Sequence, residues 1–249
     1  MYSLSGRTAF VTGAGRGLGA AIAQGLAEAG AGVVLTDVDG ASAGAAAASL
    51  KGAGRNAIAM PLDVRDEGAF AHCFDAAVAH FGAIDVMVNN AALTASTSLW
   101  DIKADEWDCI MAVNLRGSFF GCRIAGRHMR QRGAGRIVNL SSIAGQQASA
   151  ATGAHYAASK AALLALTRSF AQELAPHGVT VNAVAPAAIR SPVLDAMDAS
   201  DARALQATIP LGRFGEAREV AAAVVYLASP AGAYTTSATL DLNGGRLMR

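Results

Sequence analysis

The chain has 249 residues, a formal net charge of +1 at pH 7 and 53% hydrophobic residues, while aromatic residues make up only 6%. Lys and Arg are scattered along it, which excludes the clustered basic face typical of nucleic-acid binding. No Pro/Ser-rich linker or long run of charge divides the sequence, so one domain spanning residues 1–249 is predicted.

Cysteine usage and apolar patterning indicate the compartment. Cys73, Cys109 and Cys122 lack any C-x-x-C spacing, which favours a reducing environment. The N-terminus has no basic segment followed by an apolar run, so no secretory signal is predicted. The uncharged segment 220–240 is interrupted by Pro and Gly and predicts a buried helix, turn and strand rather than a membrane span. A cytoplasmic protein without membrane contact is expected.

Short β-branched runs alternate with longer Ala- and Leu-rich segments. The candidate strands are mostly continuously apolar, as in strands covered on both faces, and comprise residues 10–11, 33–35, 58–60, 84–88, 137–140, 179–184 and 238–242. Helical patterns occur at residues 18–26, 41–49, 66–81, 104–132, 154–176 and 216–228. This alternation predicts an α/β fold, a Rossmann-type doubly wound parallel sheet of about seven strands with helices on both faces. A substrate-loop insertion is predicted at about 187–210, with a helical lid at 195–206.

A glycine-rich turn, Thr12-Gly-Ala-Gly-Arg-Gly-Leu-Gly19, lies between the first strand and the first helix. Its glycines permit a tight turn and close backbone approach, and the helix N-terminus offers free N–H groups to a pyrophosphate. The position between strand and helix strengthens a signal that is moderate by itself. The turn therefore predicts a dinucleotide site, with contacts from Gly13, Arg16, Gly17, Leu18 and Gly19.

An acid at the end of the second strand bears on the choice of dinucleotide. Asp37 follows Gly19 by 18 residues, where a carboxylate accepts hydrogen bonds from ribose hydroxyls and repels a 2′-phosphate. Arg16 could instead pair with that phosphate, and Asp37 could merely cap a helix or turn. Because a fixed carboxylate repels a dianion directly and Arg16 is flexible, NAD is predicted over NADP.

Tyr156 and Lys160 are four residues apart in a helical pattern, so they share one helix face. A nearby ammonium favours the phenolate, and such a pair can exchange a proton with an alcohol or carbonyl near neutral pH. Ser142 upstream is predicted to complete the site. Ser141 is the competing serine, expected to face the sheet, and His155 is expected to be structural or at the pocket rim. The histidines show no spacing typical of a metal site.

The ordered motifs resemble the short-chain dehydrogenase/reductase family over almost the entire chain. They are Thr12–Gly19, Asp37, Leu62-Asp63-Val64, Asn89-Asn90-Ala91-Ala92, Asn114, Ser142, the Tyr156/Lys160 pair, Asn182-Ala-Val-Ala-Pro186 and Asn243-Gly244-Gly245. The sequence departs from the family pattern at Ala92 and Ala187, where glycine is usual. These departures affect the pocket rather than the groups that the chemistry needs.

The resemblance implies a role for each matched position. Asp63 and Val64 would hold the adenine, Asn90 and Ala91 would line the cleft, and Pro186, Ile189 and Ser191 would lie at the nicotinamide. Tyr156 would be the acid/base, and Ser142 with Tyr156 would bind the substrate oxygen. Lys160 would bind the nicotinamide ribose and lower the pKa of Tyr156, and Asn114 would seat a water that relays protons to Lys160. The substrate pocket would be built by residues 94–98, 146–150 and 187–210.

The predicted function is hydride transfer between NAD(H) and a secondary alcohol or ketone. One alternative is an NADPH-dependent reductase of 3-oxoacyl thioesters, which the sequence also resembles and against which Asp37 argues. A less favoured alternative is a non-catalytic dinucleotide-binding sensor. The resemblance also implies a homotetramer built on helices 104–132 and 154–176, with an interface containing Phe119, Phe120, Leu163, Leu166 and Phe170.

Overall fold

A computed structural model describes residues 1–148 and 152–248. In this part of the chain, seven strands form one sheet in the order β3-β2-β1-β4-β5-β6-β7, and every neighbouring pair is parallel. The strands are β1 Thr8–Thr12, β2 Gly32–Asp37, β3 Ala57–Pro61, β4 Val86–Asn89, β5 Gly135–Leu140, β6 Val179–Pro186 and β7 Thr239–Leu242. The predicted Rossmann-type sheet is confirmed.

The α-helices of the described residues connect these strands. They are α1 Gly17–Glu28, α2 Gly40–Gly52, α3 Glu67–Phe81, α4 Ala104–Met111, α5 Ser118–Arg132, α6 Ala154–Leu174, α7 Pro192–Asp195, α8 Ala199–Ala207 and α9 Ala217–Ala228. No helix in the two described ranges is long and apolar enough to cross a membrane.

Two predicted helices are divided in the structure. The segment predicted as one helix at 104–132 contains a π-helical stretch, Ala112–Gly117, between α4 and α5. Gly117 lies directly against Val64, since a Cβ on Gly117 would come within 2.8 Å of a Val64 methyl carbon. The helix predicted at 195–206 corresponds to the last residue of α7, a break at residues 196–198, and α8.

Helices cover both faces of the sheet with separate apolar cores. On one face α1, α2 and α9 pack through residues such as Ile22, Leu50 and Val224. On the other face α3, α5 and α6 pack through residues such as Phe74 and Met129. Strands buried on both faces need continuously apolar sequences, which is the pattern of this chain.

The buried face of α5 and α6 corrects part of the interface prediction. Phe120 is only 9% exposed and Leu163 is fully buried within the chain, so neither is available to a partner. Phe119, Leu166 and Phe170 remain partly exposed, as the interface prediction requires. An amphipathic helix buries one stripe of its surface and exposes the opposite stripe. Two of the five residues lie on the buried stripe and three lie on the partly exposed one.

The sheet order places the candidate site. β1 lies between β2 and β4 in the sheet. The connection after β1 therefore runs to one side of it, whereas the connection after β4 runs to the other side. In such sheets the crevice at the carboxyl ends of the diverging strands is the usual ligand site. Here that crevice lies between the glycine turn after β1 and the loop after β4.

Candidate active site

The glycine turn after β1 has a backbone that only glycine adopts readily. Gly13 and Gly17 have φ values of +63° and +55°, in the left-handed region. A Cβ on Gly13 would lie 2.8 Å from Ala91 Cα, and one on Gly19 would overlap the Gly13 carbonyl. α1 begins without a side-chain cap on its first N–H groups. The turn thus leaves uncapped N–H groups at a helix N-terminus, which is a favourable place for a phosphate.

Asn90 holds this turn to the loop after β4. Its Nδ2 donates to the Thr12 and Gly13 carbonyls, at 2.9 Å each, and its backbone N–H donates to Thr12 Oγ1 at 3.0 Å. The Ala91 N–H donates to the same hydroxyl at 3.1 Å. Asn90 therefore lines the cleft as predicted, but its amide is engaged in shaping the turn.

Asp37 closes β2 beside the turn, as predicted. Its Oδ2 accepts from the Gly15 N–H at 3.0 Å and its Oδ1 accepts from the Asp39 N–H at 3.1 Å. Each carboxylate oxygen retains a free lone pair after these bonds. Arg16 is exposed. Hydrogen bonds from Ser42 are the main reason that the pKa of Asp39 is lowered, and the Arg16 charge is the smallest of the lowering causes.

A cavity of about 510 Å³ extends from the glycine turn to Tyr156 and Lys160. Its lining includes the predicted residues Gly13, Arg16, Leu18, Gly19, Asp37, Asp63, Val64, Asn90, Ala91, Tyr156 and Lys160. The volume, the uncapped helix N-terminus and the carboxylate beside it fit a nicotinamide dinucleotide. Within the described residues, no three His, Cys, Asp or Glu side chains group as a metal site would require.

Asp63 carries a partner that the sequence does not reveal. Arg65 binds its carboxylate, with Nη2 at 2.6 Å and Nε at 3.0 Å from Oδ2. This hydrogen bonding is the main reason that the pKa of Asp63 lies below its usual value. The guanidinium of Arg65 thereby fixes the acid that the family resemblance places at the adenine.

Lys160 lies in the floor of the cleft and is buried. Its Nζ donates to the Leu140 carbonyl at the end of β5, at 2.6 Å, and lies 5.7 Å from the centroid of the Tyr156 ring. Burial lowers the pKa of Lys160 to about 8. An ammonium has three donors, and Leu140 takes one of them.

Burial and neighbouring side chains act on the pKa of Tyr156 in opposite directions. Burial, the largest cause, raises the pKa above its usual value, while the Ser142 and Thr94 side chains act to lower it. The lowering by Lys160 that the resemblance implies stays a prediction.

Of the two adjacent serines, Ser142 is the one whose side chain acts to lower the pKa of Tyr156. Its Oγ accepts from the Ala144 N–H at 3.1 Å, which fixes the side chain at the start of a short 3₁₀ turn. Ser141 is buried, donates to the Lys160 carbonyl at 2.8 Å and lines the cleft. The assignment of the active serine to Ser142 stays a prediction.

Asn114 has a different arrangement from the expected water relay. The side chain is buried in the π-helical stretch, its Oδ1 accepts from the Leu93 N–H at 2.8 Å, and its Nδ2 donates to the Leu93 carbonyl at 2.9 Å and Ser159 Oγ at 3.1 Å. Both amide hydrogens are thus used. Asn114 binds the loop that follows β4, because it satisfies both backbone groups of Leu93.

The three residues predicted at the nicotinamide end do not line the main cleft. Pro186 is buried at the end of β6, and Ser191 caps α7 by accepting from the Leu194 N–H at 3.4 Å. Ile189 lines a separate cavity of about 250 Å³ together with residues of the 209–219 segment. In the predicted pocket segment 146–150, Gln146 donates to Asp241 at 2.7 Å, and residues 149 and 150 lie outside the described residues.

Three residues of the cleft carry no signal in the sequence for the contacts they make. Arg65, Val38 and Thr94 line the cleft, and the Thr94 side chain acts to lower the pKa of Tyr156. The sequence assigns Thr94 only to the substrate pocket. A loop residue carries no periodicity, so the sequence does not indicate which group it acts on.

Comparison with known proteins identifies the family. The family model described as Enoyl-(Acyl carrier protein) reductase matches residues 13–246. The chain is 41% identical over 246 residues to the 3-oxoacyl-(acyl-carrier-protein) reductase FabG of Vibrio harveyi, covering 99% of each. It is 39% identical over 246 residues to the short-chain reductase protein NovJ of Streptomyces niveus, covering 96% of this chain and 93% of that one.

A solved structure agrees with the sequence relatives. A protein from Sinorhizobium meliloti 1021, provisionally named a short-chain alcohol dehydrogenase, matches with a TM-score of 0.93 and 38% identity over 98% of each chain. The chain therefore belongs to the short-chain dehydrogenase/reductase family. It is an NAD(P)-dependent oxidoreductase acting on an alcohol or its ketone.

Proposed function

We propose that the protein is an NAD-dependent dehydrogenase or ketoreductase of a secondary alcohol and its ketone. The observation that carries this proposal is a cleft that holds Tyr156 and Lys160 at one end and the glycine turn with Asp37 at the other. The Ser142 side chain acts on the pKa of Tyr156 at the first of these ends. When bound, the nicotinamide supplies the hydride chemistry. The protein supplies the proton, the position and the electrostatics.

Tyr156 exchanges the proton at the substrate oxygen. The Ser142 side chain acts to lower the Tyr156 pKa, so a substrate oxygen placed between the two receives a second hydrogen bond that stabilises developing negative charge. In oxidation the phenolate takes the hydroxyl proton, and in reduction the phenol returns it. Lys160 contributes an ammonium held by Leu140, with two donors remaining for the nicotinamide ribose.

Charge at the end of β2 supports NAD over NADP. Asp37 and Val38 occupy the cleft there, and Val38 is 73% exposed and carries no charge. Arg16, Arg65 and Lys160 are the cationic residues among the described cleft lining. Arg65 is engaged by Asp63, and Lys160 is bound at Leu140. Only Arg16 remains, within this described lining, to receive a 2′-phosphate, and Asp37 opposes that phosphate directly.

The first prediction concerns cofactor choice. The wild-type kcat/KM is expected to be higher with NAD than with NADP, because Asp37 hydrogen-bonds the ribose hydroxyls and repels the 2′-phosphate. Replacing Asp37 by Ala is expected to lower this preference by roughly tenfold or more, as expected for loss of a charged contact worth on the order of 1.4 kcal/mol. Steady-state kinetics with both cofactors measures it. A wild-type preference for NADP would contradict the assignment and favour Arg16 as a phosphate ligand, which Arg16→Ala then tests.

A reductase of 3-oxoacyl thioesters is the second candidate. The observation that favours it is the 41% identity over 99% of the chain to a protein with that name. The two candidates differ in substrate and, as we propose, in cofactor. A panel of secondary alcohols, simple ketones and a 3-oxoacyl thioester, each assayed with both cofactors, separates them. Selective reduction of the thioester with NADPH would replace the first candidate by the second.

We also propose that the chain assembles as a homotetramer. A groove of about 970 Å³ lies between the π-helical stretch, α5 and α6, and the partly exposed Phe119 and Leu166 line it. Such an apolar surface suits a two-fold interface, and the segment 216–242 would provide a second one. Light scattering at micromolar concentration is expected to give four times the chain mass of 25.1 kDa. A mass of one chain would refute this proposal, and a dimer would leave one interface.

A further inference from the structure

Helix α6 is hydrogen-bonded to the end of β5 at Lys160. The Lys160 Nζ donates to the Leu140 carbonyl at 2.6 Å, and the Ser141 hydroxyl donates to the Lys160 carbonyl at 2.8 Å. Both bonds hold the helix near its start, beside the cleft. Because a helix that is held at one point can still tilt and slide on a sheet, these bonds do not fix the placement of α6 by themselves.

A further hydrogen bond holds α6 to β5 about two turns along the helix from Lys160. Asn139 Nδ2 donates to Thr167 Oγ1 at 2.9 Å, and the Thr167 hydroxyl donates to the Leu163 carbonyl at 2.8 Å. Asn139 is fully buried and Thr167 is 1% exposed. The interval from Lys160 to Thr167 corresponds to about 10 Å along a helix axis. The two points together define the tilt and the position of α6 on the sheet.

Asn139 is itself held by the strand on its other side. Asn89 lies opposite Asn139 in the parallel pairing of β4 and β5, and its Nδ2 donates to Asn139 Oδ1 at 2.8 Å. Because this bond occupies the Asn139 oxygen, the Asn139 amide nitrogen is the group that faces Thr167. Asn89, Asn139 and Thr167 thus form a buried polar bridge that runs from β4 through β5 to α6.

The polar bridge begins beside the residue that holds the glycine turn. Asn90 directly follows Asn89, and its Nδ2 donates to two carbonyls of that turn at 2.9 Å each. The bridge ends on α6, which carries Tyr156 and Lys160. Two consecutive asparagines therefore connect to the two ends of the cleft. The fit of a dinucleotide that spans the cleft depends on the distance between these ends.

Apolar packing alone does not set the placement of α6. Burial of apolar surface is non-directional and follows the area removed from water. A hydrogen bond weakens steeply when its geometry departs from the preferred one. A displacement of α6 that broke the bond between Asn139 and Thr167 would leave a fully buried amide N–H unpaired, which is costly. The bond therefore restricts α6 to one placement on β5.

We propose that Asn139 and Thr167 are positioning residues, which hold α6 so that Lys160 reaches the nicotinamide ribose of a dinucleotide seated on the glycine turn. This inference rests on the proposed function, in which Lys160 binds that ribose. Neither Asn139 nor Thr167 is part of the cleft lining, so their effect on a ligand passes through α6. The adenosine diphosphate part of the ligand meets the glycine turn and Asp37 instead.

The experiment compares the Kd of NAD with the Kd of ADP, both measured by titration calorimetry. ADP carries the adenosine and the pyrophosphate but lacks the nicotinamide ribose. Thr167→Val keeps the side-chain shape and removes the acceptor for Asn139. It is expected to raise the Kd of NAD about tenfold, as for the loss of one hydrogen bond from a charged group. The Kd of ADP is expected to change by less than about twofold, since separate sites act independently.

Two variants control for the loss of a hydroxyl and of stability. Thr167→Ser keeps an oxygen that accepts from Asn139, so it is expected to bind NAD nearly as tightly as the wild type. Ser229→Ala removes another fully buried hydroxyl, which donates to the Tyr226 carbonyl at 2.9 Å at the end of α9. It is expected to lower the free energy of unfolding, measured in denaturant, and to leave both Kd values unchanged.

A smaller substitution is available if Thr167→Val does not fold. Thr167→Ala leaves room for a water molecule to pair with the buried Asn139 amide, which preserves the fold. The same selective loss of NAD affinity is expected, because a water molecule does not tie α6 to β5 as the hydroxyl does.

The outcomes distinguish this inference from the proposed function. A wild-type protein that bound no NAD would overturn the proposed function and this inference with it. If the wild type bound NAD, a Thr167→Val variant that weakened NAD and ADP equally, or weakened neither, would overturn only this inference. The inference would also be overturned if Thr167→Ser were as impaired as Thr167→Val, or if Ser229→Ala reproduced the selective loss of NAD affinity.

Discussion

Replacing Tyr156 by Phe is expected to lower kcat at least ~100-fold, the lower end of what a positioned acid/base group contributes. The substitution removes the transferable proton but keeps the aromatic ring, so the packing around it is preserved. Phe also has no oxygen to bond with the Ser142 and Thr94 hydroxyls. Cofactor binding, measured by fluorescence titration, is expected to change little, because the glycine turn and Asp37 are untouched. Turnover in both directions gives the measurement.

A second phenol provides the matched control for this variant. Tyr226 lies on α9, away from the cleft, and its hydroxyl lies 3.0 Å from Thr235 Oγ1. Tyr226→Phe also removes one hydrogen-bonded phenol, and it is expected to retain turnover. Full activity in Tyr156→Phe would contradict the proposed acid/base role, whatever the behaviour of Tyr226→Phe.

Replacing Lys160 by Met is expected to change stability in a pH-dependent way as well as to reduce turnover by roughly 100-fold. The pKa of Lys160 is about 8 in the folded protein against 10.5 in the unfolded chain. Below pH 8 both states hold the proton, and burying the ammonium destabilises the folded state fully. Between pH 8 and 10.5 the unfolded chain binds more protons, so the lysine's contribution to the free energy of unfolding rises with pH. A lysine that gains a partner on folding usually has a raised pKa and stabilises the folded state when charged, whereas the charged form of Lys160 destabilises it.

The expected result is a difference between two unfolding free energies that falls with pH. The value for Lys160→Met minus that for the wild type is expected to decrease by on the order of 3 kcal/mol from below pH 8 to above pH 10.5. Denaturant unfolding at a series of pH values measures it. Lys51→Met, which removes an exposed lysine from α2, controls for the loss of one positive charge. A difference for Lys160→Met that stayed constant with pH would contradict the buried-ammonium interpretation.

The strands and the ligand end of the sheet could be predicted because their signals are local. Continuous apolar runs mark the strands, and Thr12 and Asp37 close β1 and β2 as expected. The division of residues 104–132 could not be predicted, because a π-helical stretch keeps the helical residue types. The stretch ends at Gly117, which lies against Val64, a residue distant in sequence.

The chemistry of the site could be predicted only in part, for a related reason. The spacing of Tyr156 and Lys160 predicts that they lie on one helix face, and in the structure both lie on α6. It does not indicate that burial raises the pKa of Tyr156, since desolvation depends on everything packed around the phenol. Nor does it indicate that Asn114 binds the backbone of Leu93, because an amide has equal capacity for water and for a peptide group.

The side chain of Asn114 imitates a peptide group toward Leu93, as a neighbouring strand would. Such a bond pair depends on the backbone alone, so it is independent of which side chain position 93 carries. Leu93 is 44% exposed, and Leu93 and Thr94 line the cleft. If residues 94–98 border the substrate as predicted, we expect that their side chains can be exchanged to change substrate preference while the loop stays anchored.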